Sequence, residues 1–420
     1  MALANRVLSS VTKTCGRLRF VALASTSHRL FFHKDSNSNS LLIKLLHVPN
    51  SSIKSTLDEQ MCSLKSSEFS WEFLVTSLRS SSSEKARLVL EWILDKVLRE
   101  KERDHGLFSE LITLCGKLHN VPLAMHVFTS MEANGVKPTS LVFNSLINTC
   151  LFSNNVVTAF SLFEIMERSD SYKPDFHTYN IFISAFSKSG NVDAMLSWYS
   201  AKKTAGLGPD LQTFESLISG CVKSGNFETA DRIYEEMMVS GIIPSITILE
   251  NMLEGICKQK NLGQAEEFFK TVLVAGWEIN DNMVEKLISL YIELKQVQKM
   301  EELLETMTKT APITGVLSRI HCGIIGVYAM LDRLDDVEYA VGRMLKVGLS
   351  FTCADDVEKV ICSYFRREAD DRLDIFLECI KSCYMLTGST YDLLIAGYRR
   401  AGLHDKVDIV MVDMKVAGFA

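Results

Sequence analysis

Three acidic doublets mark the C-terminal third of this 420-residue chain: Asp335-Asp336, Asp355-Asp356 and Asp370-Asp371. Paired carboxylates are what a two-metal nuclease needs. The same doublets fit helix N-termini, where Asp is favoured by capping and by the dipole, and that is the reading preferred. Cys379 and Cys383 would share a helix face at i,i+4, but no His stands near them to build a metal site. Gly116-Lys117 is followed by Leu118, so no phosphate-binding loop is formed. Neither His-Glu-x-x-His nor His-x-Glu with Cys-x-x-Cys occurs. The eleven cysteines include no C-x-x-C pair, and ten lie in apolar-patterned segments, as reduced core thiols do. The expectation is a protein that is not an enzyme, with no catalytic residue, metal or cofactor.

A period organises the chain. Pro138, Pro174, Pro209 and Pro244 are spaced 36, 35 and 35 residues apart. Gly135, Gly206 and Gly241 precede three of them by three residues, and Gly276 continues the series. A second register runs from Phe108-Ser-Glu-Leu-Ile through Phe143-Asn-Ser-Leu-Ile, Tyr179-Asn-Ile-Phe-Ile and Phe214-Glu-Ser-Leu-Ile to Leu249 and Val284, and ends at Tyr391-Asp-Leu-Leu-Ile. Ala124, Ala159, Ala230 and Ala265 give a third. In 140–175 an apolar face at helical spacing is followed by the polar break SNN, a second apolar face, and Lys-Pro-Asp, where Pro cannot continue a helix. One such hairpin cannot bury its own face, but stacked neighbours can. The expected fold is therefore all-α, an α-solenoid of eight to nine 35-residue helix-turn-helix repeats over 105–420. Eight units run from 105 to 387, and the ninth, 388–420, reads as incomplete.

Composition bounds the rest. Hydrophobic residues make up 47% and charged residues 23%, which excludes a disordered chain, and no run of 18 apolar residues suggests a membrane span. Residues 1–34 hold six basic and no acidic residues and are rich in Ser. Arg6, Lys13 and Arg17 fall within about 40° on a helical wheel. This is the composition of an organellar transit peptide, with the mitochondrial matrix favoured over the chloroplast stroma. The remainder carries 39 basic against 51 acidic residues, net −12, so a nucleic-acid site must be a local basic stripe. Residues 35–67 read as a poorly ordered linker. Residues 68–104, with SWEFLVTSLRS and EKARLVLEWILDKVLREKERD, read as N-terminal capping helices.

Gly-Val-Lys-Pro-Thr before Ser-Leu-Val-Phe-Asn-Ser-Leu-Ile, Tyr-Lys-Pro-Asp before His-Thr-Tyr-Asn-Ile-Phe-Ile, and Phe-Ser-Lys-Ser-Gly-Asn-Val-Asp-Ala resemble the pentatricopeptide repeat. The resemblance is strong over 105–280 and fades in 281–387. Uniform units look like the P class, a plant organellar type, and Ala420 is reached with no deaminase-like tail. The resemblance implies a solenoid that binds single-stranded RNA at about one base per repeat. It implies that Asn144 with Asp175, and Asn180 with Asp210, read bases, in the combination that favours uridine. Ser109 with Thr139, Glu215 with Ser245, Glu250 with Asn280, Cys322 with Thr352 and Val357 with Thr387 depart from the usual code. Leu141 fits the aliphatic wedge between bases; His177 and Gln212 do not.

Eight residues beyond these positions stand Lys117, Lys188, Lys223, Lys258 and Arg400. A cation recurring there can meet successive phosphates, or simply complement a helix C-terminus. Two functions follow. One is an organellar RNA-binding adaptor that acts sterically in processing, splicing, stability or translation. The other is a protein-interaction scaffold in an organellar ribonucleoprotein or ribosomal complex, using the divergent C-terminal repeats. Asn144, Asn180, Lys188 and Lys223 together on one face would favour RNA. Dominance of Glu215, Glu250 and Glu285 there would favour a protein partner.

Overall fold

The computed structural model describes residues 36–64, 70–100, 104–310 and 314–419, with the side chains of 36–39, 61–64, 310 and 314 left aside. The segment read as a transit peptide lies outside the described residues. The described residues form α-helices joined by short turns, with one 3-10 turn and no strand. They divide into two units, the first ending at Glu102 and the second beginning at Arg103.

The first unit holds α1 (Ser36–His47), α2 (Ile53–Leu64), α3 (Trp71–Ser81) and α4 (Ser83–Arg99). Within the segment 35–67, read as a poorly ordered linker, the described residues 36–64 are therefore mostly helical. Leu41 and Leu45, then Ile53 and Leu57, put apolar pairs four apart on one helix face, and all four are buried. Lys85 on α4 donates to the carbonyls of Leu45, Leu46 and Val48 at 2.7–2.9 Å, closing the C-terminus of α1. Trp92 Nε1 donates to Asp58 Oδ1 at 2.9 Å, and Lys54 pairs with Asp95 at 2.9 Å. The Ser/Asn run before Leu41 hides this helix from a reading by composition.

The second unit is nine helix pairs. They are α5 (His105–Lys117) with α6 (Val121–Ala133), α7 (Ser140–Phe152) with α8 (Val156–Glu167), and α9 (Phe176–Ser189) with α10 (Val192–Thr204). Then come α11 (Leu211–Lys223) with α12 (Phe227–Val239), α13 (Ile246–Lys258) with α14 (Leu262–Val274), and α15 (Asp281–Glu293) with α16 (Val297–Thr310). The last are α17 (Thr314–Met330) with α18 (Leu334–Lys346), α19 (Ala354–Arg366) with α20 (Asp370–Ile380), and α21 (Gly388–Arg400) with α22 (His404–Val416). The ninth unit, expected to be incomplete, has both helices.

Local chemistry sets these boundaries. Asn120, Asn155, Asn191, Asn226 and Asn261 each cap a second helix, accepting from a backbone N–H at 3.0–3.3 Å. Before each cap the chain takes one left-handed residue, at φ between 53° and 74°. Only Gly190 and Gly225 among those five are glycine, so the periodic glycines do not mark this turn. They mark the other one, between repeats, where Gly135, Gly206, Gly241 and Gly276 have φ of 67–76°.

Each first helix packs on its partner and on the first helix of the next repeat. Successive second helices make no comparable contact among the described residues, so the first helices form the tighter row. Ala124, Ala159, Ala230 and Ala265 are buried on second helices, as close helix approach requires. At the junction of repeats two and three, Phe182 stacks on Trp198 at 3.9 Å, and Phe163 meets Trp198 edge-on at 4.8 Å.

Two sequence readings change. The acidic doublets do start helices, and Asp336 pairs with Arg333 and Asp335 with Arg372, each at 2.6 Å. Cys379 and Cys383 do not share a helix, because α20 ends at Ile380. Both are exposed, as is Cys353, so these three thiols are not core residues. Cys115, Cys150, Cys221 and Cys322 are buried.

Candidate nucleic-acid interface

In repeats two to five the fifth residue of the first helix faces the N-cap of the next repeat's first helix, and side chains bridge the two. Asn144 Nδ2 donates to Asp175 Oδ1 at 3.1 Å. Asp175 caps α9 by accepting from the Thr178 N–H at 2.9 Å. The Thr178 hydroxyl donates to Asn144 Oδ1 at 2.7 Å, with Asp175 Oδ1 at 3.0 Å as its alternative acceptor. One repeat on, Asn180 Nδ2 donates to Asp210 at 3.1–3.2 Å, and Asp210 caps α11 through Thr213. The Thr213 hydroxyl donates to Asn180 Oδ1 at 2.8 Å. The carboxylates are therefore held by their role as helix caps, and the amides are held by the carboxylates.

Asn144 and Asn180 are 7% and 3% exposed, so little of either side chain meets solvent. Burial alone would raise the Asp210 carboxyl. Hydrogen bonds from the Thr213 hydroxyl and amide, Lys202 nearby and the Asn180 amide hold it below the usual carboxylate range instead. Leu141 is half exposed beside Asn144, and His177, which stands in its place in the third repeat, packs on Phe176 at 4.0 Å.

In the same register later repeats carry acids. Glu215 accepts from the Ser245 hydroxyl at 2.5 Å. Glu250 accepts from Asn280, and from Asn282 at 3.2 Å; Glu285 accepts from Arg319. In the eighth repeat the register falls one residue later than the sequence spacing has it. The N-cap of α19 is Cys353, not Thr352, so the fifth residue is Glu358, which accepts from Ser389 and Thr390 at 2.7 and 3.1 Å. Val357 is core. The caps Asn280 and Cys353 are 73 residues apart and Cys353 and Thr387 only 34, so an even count of residues misses this shift. In the first repeat Ser109 bonds the Ser145 hydroxyl at 2.7 Å rather than Thr139.

The cationic positions divide likewise. Lys188, Lys223 and Arg400 are exposed at first-helix C-termini, and no ion pair among the described residues involves them. Lys188 and Lys223 lie about 12 Å along the helix from the fifth residue. Lys117 is part buried. Lys258 pairs with Glu254 at 2.8 Å, and Glu254 also takes Lys286 at 2.7 Å, so Lys258 is engaged within the protein. At the matching position of the second repeat Phe152 stacks on His119, with centroids 5.0 Å apart. Both signs of the expected contest are therefore present. Amides occupy the fifth position in repeats two and three, free lysines follow it in repeats three and four, and glutamates occupy it in repeats four to six and eight. No helix among the described residues is long and apolar enough to cross a membrane.

Nine stacked helical hairpins with a cross-repeat row at the fifth position define an α-solenoid repeat protein. Within it, residues 102–242 and 389–419 match models of the pentatricopeptide repeat. The PPR repeat family matches residues 138–188 and 174–223, the pentatricopeptide repeat domain matches 102–151, and the PPR repeat matches 212–242 and 389–419. Among solved structures, the pentatricopeptide repeat protein PPR10 from maize is similar at 19% identity with a TM-score of 0.59, covering 91% of this chain and 59% of that one. PPR10 in complex with an 18-nt psaJ RNA element is similar at 16% identity with a TM-score of 0.51, covering 99% of this chain and 59% of that one. This chain thus spans about three fifths of the length of that solved protein, and the likeness is one of fold. No protein of curated function matches it in sequence.

Proposed function

We propose that repeats two to four bind single-stranded RNA and read two adjacent bases, with uridine preferred at both. The observation that carries this reading is the duplicated geometry: Asn144–Asp175 and Asn180–Asp210, one repeat apart, each built on a capping aspartate. Uracil offers a carbonyl acceptor next to an N–H donor. An amide N–H beside a carboxylate is the complementary pair. Lys188 and Lys223, exposed and without ion-pair partners, supply phosphate contacts, and Leu141 supplies an apolar surface for a base. PPR10, a protein of the same fold, has been crystallised with RNA. The action is steric: covering a transcript segment or keeping it unpaired, with no bond made or broken by this chain. The Arg- and Ser-rich start supports an organellar setting, the mitochondrial matrix before the chloroplast stroma.

A second reading rests on the glutamate row. Glu215, Glu250, Glu285 and Glu358 place carboxylates where bases would sit, so the later repeats serve a protein partner. The test is equilibrium binding of the full chain to a random single-stranded RNA pool against duplex RNA, across a salt series. Preference for single strands with salt-dependent affinity supports the proposal. Equal and weak binding to both sinks it, and moves the search to protein partners.

A further inference from the structure

Lys202 is 0% exposed, the one fully buried lysine among the described residues. It sits at the eleventh position of α10. The same position in the other second helices of repeats one to seven is Met131, Met166, Met237, Val272, Met307 and Met344, all buried and apolar. In the third repeat a charge thus replaces a methionine in the core. A lone buried ammonium is costly unless paired and hydrogen-bonded. Its partners are Asn180 Oδ1 at 2.9 Å, Thr213 Oγ1 at 2.7 Å and Asp210 Oδ2 at 3.8 Å. Every one of them belongs to the proposed base-reading constellation.

We infer that Lys202 is a positioning residue that fixes the orientation of the Asn180 amide, and so makes the third repeat stricter for uridine over cytidine than the second. This rests on the base-reading proposal above. Turning the Asn180 amide over would press its NH2 group against an ammonium, which accepts no hydrogen bond. The oxygen is therefore held inward and the NH2 outward, beside Asp210 and Gln212, whose Oε1 lies 3.4 Å away. An outward donor fits the carbonyl of uracil and opposes the amino group of cytosine. At Asn144 the hydrogen-bond partner of Oδ1 is the Thr178 hydroxyl, and the position of Lys202 is held by the buried Met166. A hydroxyl can accept as well as donate, so there only Asp175 resists the turned amide.

The test is selection from a random single-stranded RNA pool with the full chain as wild type, Lys202→Met and Met166→Lys. Asn144→Ala and Asn180→Ala assign which selected position belongs to which repeat. Lys202→Met installs the residue that its neighbours carry, so its thermal midpoint should stay at or above that of wild type. The uridine-to-cytidine preference at the third-repeat position should fall by roughly tenfold, while the second-repeat position is unchanged. Met166→Lys should raise the preference at the second-repeat position. A folded Lys202→Met protein whose preference matches wild type overturns the role of Lys202 and leaves base reading standing. A wild type that selects no adjacent pair of positions overturns both.

Discussion

The amide of Asn144 donates to Asp175 across a repeat junction at 3.1 Å, and Asp175 is at the same time the N-cap of the helix it touches. In the proposed reading one carboxylate serves both structure and recognition. The same arrangement one repeat on, Asn180 with Asp210, makes the account testable site by site.

The phosphate role proposed for the lysines is separable from the base reading proposed for the asparagines. Charge reversal, Lys188→Glu with Lys223→Glu, should weaken binding to all RNA sequences to a similar degree. Neutral substitution of both should lower the slope of log K against log salt by roughly 0.7 for each phosphate that is no longer neutralised. Filter binding between 50 and about 300 mM salt reads both effects. An unchanged slope would mean that these lysines only complement their helix ends.

The third-repeat constellation carries a pH signature. The Asp210 carboxyl lies below its ordinary value in the folded protein. Its stabilising contribution is therefore full above the unfolded carboxylate pKa and is lost as pH falls through the lower folded one. Asp210→Asn keeps a capping side chain but leaves Lys202 without its counter-charge. The variant should be less stable than wild type at pH 7 by about 1–2 kcal/mol, a figure discounted because the carboxylate is part exposed to solvent. That gap should close toward pH 3 in urea melts, and adding Lys202→Met should recover part of it at pH 7. A gap that does not change with pH would contradict the pairing.

Close approach of first helices gives a packing prediction. A Cβ on Gly116 would stand 2.7 Å from Thr149 Oγ1 and 3.2 Å from its Cα. Gly116→Val should destabilise the chain by about 1–3 kcal/mol through overpacking. Gly208, with nothing within 4 Å, should tolerate Ala with little change. Paired chemical melts of the two variants decide this.

Thiol labelling maps the fold. Burial raises the Cys150 and Cys221 thiols to about 11 and the Cys115 and Cys322 thiols to about 12. In native protein an alkylating reagent should modify Cys379 and Cys383 first, and the four buried thiols only on unfolding. Mass mapping after timed labelling checks the order. Early modification of Cys221 would place the wrong face in the core.

The repeats are legible in the sequence because a stacked array forces the same residue types into the same places: proline after the second helix, alanine at the close approach, asparagine before the second helix. The Asn–Asp pairs are legible for the same reason. Three things are not. Helix α1 lies behind a Ser/Asn run, although Leu41 and Leu45 stand four apart. Residue spacing sets the eighth repeat one residue early, because its cap at Cys353 lies 73 residues after Asn280 and only 34 before Thr387, so an even count misses it. Lys202 escapes notice because a lysine in the last turn of a helix is ordinarily solvated. Its signal is nonetheless present, as the one charged residue at a position held elsewhere by methionine, valine or isoleucine.

The most direct measurement is selection from a random single-stranded RNA pool at about 150 mM salt, comparing wild type with the Asn144→Ala/Asn180→Ala double variant. The account predicts that wild type enriches a motif with two adjacent uridines and that the double variant loses it while keeping general affinity for single strands. Wild type and double variant enriching the same motif, or neither enriching any, would contradict base reading by these two asparagines.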